Sequence, residues 1–275
     1  MRNKYFIVNI LNSPTLPLKS FNFNKIKIII YRRKTGIKHS IICGNINSVA
    51  FYKYIVNWSS VKNRNKWRFE NKVEKENTLV VFEITLSNLR SDGEIDERDF
   101  MDRAELLCSL GQTVMISNFQ EYYKVVEYFA NYTKARMGLA MGVNNLVDIF
   151  DEKYYRHLSG GILEAFGKLF YRDMKVFLYP MIGENGEIIT SENLKVHPRM
   201  KELYKFFKFN GKVIDIKDYE ENNLAIFSRK VLKMICSDET GWEEMLPDGT
   251  ADIIKKEKLF SYACEIDLKG SASNE

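Results

Sequence analysis

The sequence predicts an α/β fold: a mostly parallel sheet with helices on its faces, preceded by an irregular basic segment. Three observations lead there. From about residue 77, short β-branched apolar runs alternate five times with amphipathic helical patterns, the signature of parallel strands joined by crossover helices. The 275 residues are 45% hydrophobic and 28% charged with 15 Gly and 5 Pro, a globular composition that excludes collagen-like and low-complexity chains. The charge is also split: residues 1–70 hold 14 Lys/Arg against the single acid Glu70, a net of +13, and the remainder carries −8. The expected division is therefore a poorly packed basic Asn/Lys/Ile-rich segment over 1–75, an α/β domain over 76–262 and a frayed tail over 263–275.

In the basic segment, residues 25–31 give one strand pattern and 40–43 a second. The run 78–86 (TLVVFEITL) has the continuous apolar character of a buried strand. Asp96 can cap a helix that places Phe100, Ala104 and Leu107 on one face, and Gly111 suits its C-terminal end. Residues 113–117 form the next strand. Asn118 can cap the following helix, with Glu121 in the reciprocal position and Val125, Val126 and Phe129 as the apolar stripe.

The unit then repeats. Strand 136–141 precedes a helix capped by Asn144 or Asn145 that carries Leu146, Ile149 and Phe150. Gly160 and Gly161 interrupt before a helix over 162–170. Strand 174–179 ends at Pro180, and 183–187 (GENGE) is a turn. Pro198 opens a helix over 200–209, where its missing N–H is tolerated, and Gly211 closes it. Strand 212–216, one helix over 224–235 and a last helix over 250–258 complete the pattern.

Ligands of open parallel sheets bind beyond the carboxyl ends of the strands. Those ends carry Thr85 with Asn88, Ser117 with Asn118, Gly142 with Asn144 and Asn145, and Tyr179. Free N–H groups at helix starts favour an anion, phosphate above all, although Asn and Ser serve equally as plain caps. The densest constellation is 151–170 (DEKYYRHLSGGILEAFGKLF). Lys153 and Arg156 supply positive charge, and His157 supplies a base with an ordinary pKa near 6.5, so these three are the candidate catalytic residues. Tyr155 adds an aromatic donor, and the glycine pair lets backbone approach a phosphate or merely breaks the helix. Ser117, Asn118, Gly142, Asn144, Asn145, Tyr155, Gly160 and Gly161 are the candidate binding residues. His197, between Lys195 and Arg199, is a second possible anion contact.

The sequence contains no GxGxxG, Walker loop or GxSxG. Only three His and four widely spaced Cys are present, so no metal site is expected, and the identity of any cofactor is left open. Cys108 and Cys236 fit small buried hydrophobes, and sparse cysteine points to the cytoplasm. The apolar stretch 5–11 is short for a secretion signal, and no run reaches the roughly 18 apolar residues of a membrane span. A nucleic-acid partner is not expected from basic charge alone.

The hallmarks 103–123 (RAELLCSLGQTVMISNFQEYY), 149–170 and 192–204 resemble an uncharacterised bacterial α/β family. Its members often carry the labels nicotinate-nucleotide adenylyltransferase or TonB-dependent receptor. The resemblance spans about 78–260 and implies a truncated member with an atypical start. The first label implies nucleotidyl transfer, with HLSGG (157–161) in place of an HxGH-type motif and no ISTxxR-type motif. The second implies an outer-membrane barrel, which alternating strand–helix units do not build. A looser resemblance links 80–89 and 110–118 to haloacid-dehalogenase-like phosphohydrolases, with Glu83 and Thr85 where two aspartates would stand. A Rossmann-like fold is compatible with both. The expected function is the binding of a nucleotide or other phosphorylated metabolite at the carboxyl edge of the sheet, completed by an upstream region or a second copy. The alternatives are a non-catalytic structural or interaction protein, or a degenerate dehalogenase-like fold.

Overall fold

A computed structural model describes residues 6–8, 39–43, 78–85, 97–110, 112, 114–117, 119–131, 133–217 and 219–262. The nine strands among them are β1 (Phe6–Val8), β2 (His39–Cys43), β3 (Thr78–Thr85), β4 (Val114–Ser117), β5 (Arg136–Gly142), β6 (Lys175–Tyr179), β7 (Met181–Ile182), β8 (Ile188–Ile189) and β9 (Val213–Asp215). The helices are α1 (Glu97–Ser109), α2 (Tyr122–Ala130), α3 (Val143–Ile149), α4 (Gly161–Leu169), α5 (Lys201–Phe209), α6 (Glu221–Leu224), α7 (Ser228–Cys236) and α8 (Thr250–Glu257).

Seven strands form one open sheet in the order β1-β4-β3-β2-β5-β6-β9, and it is not a barrel. Every pairing is parallel except β1 with β4, which is antiparallel. β7 and β8 form a separate hairpin. The sheet draws strands from the segment expected to stand apart: β1 at one edge, and β2 between β3 and β5. The expected strand over 25–31 lies outside the described residues.

Alternation along the strands sorts the core into two faces. Val81, Met115, Leu139, Met141, Val176 and Leu178 point one way, into a core closed by α2, α3, α4 and Tyr204 of α5. Phe82, Ile84, Val114, Ala140, Phe177 and Tyr179 point the other way, against Ala104 and Leu107 of α1 and Leu224 of α6. Leu106 carries α1 onward into an outer cluster with Val231, Ile235, Trp242 and Ile254. The connection from β3 to β4 thus uses one face, and the connections from β4 to β5, β6 and β9 use the other. Crossovers of one hand require this when the direction of travel across the sheet reverses.

Three expectations are corrected. α3 starts directly after β5, with Gly142 as its N-cap, so neither Asn144 nor Asn145 caps it. The single helix expected over 224–235 is two, because the chain turns at 225–227 with the Ile226 N–H on the Asn223 carbonyl. Cys236 is exposed rather than buried, since it ends α7, and its thiol donates to the Phe260 carbonyl at 3.2 Å; Cys108 is half-buried.

The central position of β2 sets an expected outcome for truncation. A chain starting at residue 77 lacks the partner that both β3 and β5 pair with. It should lose the cooperative thermal transition of the full chain, followed by far-ultraviolet circular dichroism. An unchanged melting temperature would show that β2 contributes nothing.

Candidate functional site

Parallel pairing puts the ends of β3, β4, β5 and β6 on one edge, with Thr85 opposite Ser117 and Gly142 opposite Tyr179. A cavity of about 110 Å³ opens there, on the face covered by α2 and α3. Glu83 of β3 lies at its base, the loop into α2 contributes Phe119, Gln120 and Glu121, and α2 itself contributes Tyr122. α3 contributes Asn145 and Asp148 one turn apart, and the 3-10 turn Glu152–Tyr155 contributes Tyr154 and Tyr155.

Glu83 is only 2% exposed. The Ser117 hydroxyl donates to its Oε1 across adjacent strands and accepts from the Phe119 N–H at 3.3 Å. Burial raises the Glu83 carboxyl to about 7, against the smaller lowering effect of the Ser117 bond. Burial likewise holds Asp148 above the usual carboxylate range, with Lys153 pulling it down and Asp151 pushing it up. The Tyr122 phenol is held well above its ordinary range by burial, then by the charges of Glu83 and Asp148. The Tyr155 hydroxyl donates to the Ile149 carbonyl at 2.9 Å, tying the 3-10 turn to the end of α3.

Of the sequence-predicted residues, Asn145 and Tyr155 line the cavity and Ser117 supports its base. Gly142 and the exposed Asn144 sit at the same edge without lining it. Asn118 lies outside the described residues. Lys153 is exposed and held by Asp151, through its backbone N–H at 3.0 Å and its Nζ at 2.6 Å, and that Nζ stands 4.7 Å from the Tyr154 ring centre. Arg156 is exposed. The His157 ring is half-exposed, with Nε2 3.1 Å from the Tyr123 hydroxyl and 3.7 Å from Glu121 Oε1. Glu121 in turn pairs with Lys124 at 2.6 Å.

The glycine pair has a local explanation. The Gly160 N–H donates to Glu164 Oε2 at 3.0 Å, and the Gly161 N–H donates to the Leu158 carbonyl at 3.0 Å. A Cβ on Gly160 would come within 2.8 Å of the Glu164 Cβ, and Gly161 has φ +56°, which other residues rarely adopt. His197 caps the 3-10 turn Pro198–Met200, its Nδ1 accepting the Arg199 N–H at 3.3 Å.

The sequence reading left Glu83, Glu121, Tyr122 and Asp148 out of the site. The available signal was Glu83 itself, a lone acid inside an apolar strand, since buried carboxylates are rare without a role or partner. Among the described residues no group of three or more His, Cys, Asp or Glu could hold a metal ion, and no helix is long and apolar enough to cross a membrane. No family model matches the chain, and no curated protein matches it.

The titration of Glu83 gives a stability test. The folded chain holds this proton up to about pH 7, while the unfolded chain releases it near 4.5. The folded state therefore binds more protons between those values. The stability from this group is whole below pH 4.5 and is lost as pH rises through 7. Glu83→Gln stays neutral throughout. It should melt close to the parent at pH 5 and above it at pH 8, by up to about 3 kcal/mol. A difference that stays constant from pH 5 to 8 would show that Glu83 does not titrate there.

Proposed function

We propose that the chain is a Rossmann-like domain that holds a nucleotide or other phosphorylated metabolite at the carboxyl edge of its sheet. The observation that carries this reading is the buried Glu83 carboxylate at the base of a cavity on that edge. The six parallel strands, taken in chain order, run 3-2-1-4-5-6, the order of dinucleotide-binding sheets, which reverses between β2 and β5. Glu83 lies on the strand next to that reversal, where sheets of this order use an acid to bind a ribose hydroxyl.

In this reading the polar, non-phosphate end of the ligand enters the cavity. Glu83 and Asp148 accept its hydrogen bonds, Asn145 donates or accepts, and the tyrosine rings cover its apolar surface. Phosphate stays outside, where Lys153 and Arg156 flank Tyr154 and Tyr155 in sequence. Glu83, near neutrality, is fitted to exchange a proton with a bound ligand.

A thermal-shift panel of nucleosides, nucleotides, dinucleotides and sugar phosphates tests the reading. A ligand at 100 times its Kd stabilises the fold by about 2.7 kcal/mol, enough to raise Tm by several degrees. At least one member should do so, and Asn145→Ala should weaken the response. No shift from any of them would overturn the reading.

A further inference from the structure

We infer that the group seated in the cavity is a protonated amine, held by the Glu83 and Asp148 carboxylates and enclosed by the rings of Tyr122, Tyr154 and Tyr155. The inference rests on the reading of this cavity as the ligand site and names the chemistry of the end that enters it.

The first support is the sign of the lining. Among the described residues its ionisable groups are Glu83, Glu121, Asp148 and the three phenols, and no described Lys, Arg or His lines it. Lys124 and Lys153 lie outside the lining, paired with Glu121 and Asp151. A phosphate placed inside would share the cavity with the Glu83, Glu121 and Asp148 carboxyl groups, and like charges at short range are mutually destabilising.

An independent support is Glu83 itself. More than nine-tenths of it is buried, and only Oε1 has a hydrogen-bond partner among the described residues, the Ser117 hydroxyl. Glu83 is also one of the residues lining the cavity. Burial holds back ionisation of Glu83 against only the Ser117 bond, and the more exposed Asp148 is also raised, against the pull of the Lys153 charge. A ligand ammonium supplies a compensating charge and three donors, and ring faces attract cations. Beside the cavity tyrosine Tyr154 the same recognition is already made: the Lys153 ammonium contacts the Asp151 carboxylate and stands over the Tyr154 ring.

The volume sets the scale. About 110 Å³ takes a few water molecules or a short aminoalkyl end, not a whole nucleotide.

Calorimetric titration of the full chain at pH 8 with three probes tests the inference: phosphoethanolamine, glycerol 3-phosphate and ethanolamine. Phosphoethanolamine should bind about tenfold or more tightly than glycerol 3-phosphate. Glu83→Gln and Asp148→Asn should each remove most of that preference while retaining the parent's far-ultraviolet spectrum. Equal binding of the two phosphates would overturn the ammonium and leave the phosphorylated-metabolite reading standing. Equal binding of ethanolamine and phosphoethanolamine, with none of glycerol 3-phosphate, would keep the ammonium and overturn the phosphate. Binding of none of the three would overturn the ammonium, as would a preference that survives in both variants, and in either case the nucleotide and sugar-phosphate panel still decides the phosphorylated-metabolite reading.

Discussion

Five residues, His39–Cys43, join the two halves of the sheet. On one side they pair with β3, and on the other with β5, both in parallel register. The rest follows from that ladder. It puts β3 and β5 in one plane, so that α2 can cross from β4 to β5 over a continuous apolar face. It also sets the carboxyl ends of all the parallel strands along one edge, where polar side chains can meet. Long-range parallel pairing is slow to form because chain entropy is lost before the contacts are made. Here the pairing is made by a strand drawn from the most basic part of the sequence.

The cavity is the place where the fold departs from its own rule of burying apolar groups. Strand β3 is apolar before and after Glu83, and the residue could have been a valine without disturbing the sheet pattern. The carboxyl is instead retained, bonded to Ser117 and kept near neutrality by its surroundings. A buried carboxyl whose ionisation is held back by burial is a cost to the fold, and such costs cluster where ligands bind. The neighbouring Tyr155–Ile149 bond keeps the walls in place, so the polar groups converge without depending on flexible side chains at the mouth.

Strands were the most legible part of the fold. The runs around 78–85, 114–117, 136–142 and 175–179 were readable because a strand buried on both faces has no polar alternation to confuse it. Helix boundaries were less so. Asn144 and Asn145 look like caps in sequence, yet backbone geometry starts α3 two residues earlier, and the turn at 225–227 leaves no mark on an apolar spacing that fits one helix or two. The site was legible only where its residues sit beside strand ends or turns, as with Asn145 and Tyr155. Glu83, Glu121 and Asp148 come from three elements, and each alone has an ordinary explanation. Their meeting is a product of tertiary packing that no local spacing records.

The start of α4 carries its own counter-ion. Glu164 folds back onto the Gly160 N–H and is held in turn by Lys168 at 3.1 Å. An exposed helix start would ordinarily attract anions from solution and order only when one arrives. Here the helix meets that demand internally, and the turn that follows the cavity tyrosines is set before any ligand approaches. The conformational entropy of that turn is therefore lost during folding, next in sequence to the tyrosines that line the pocket.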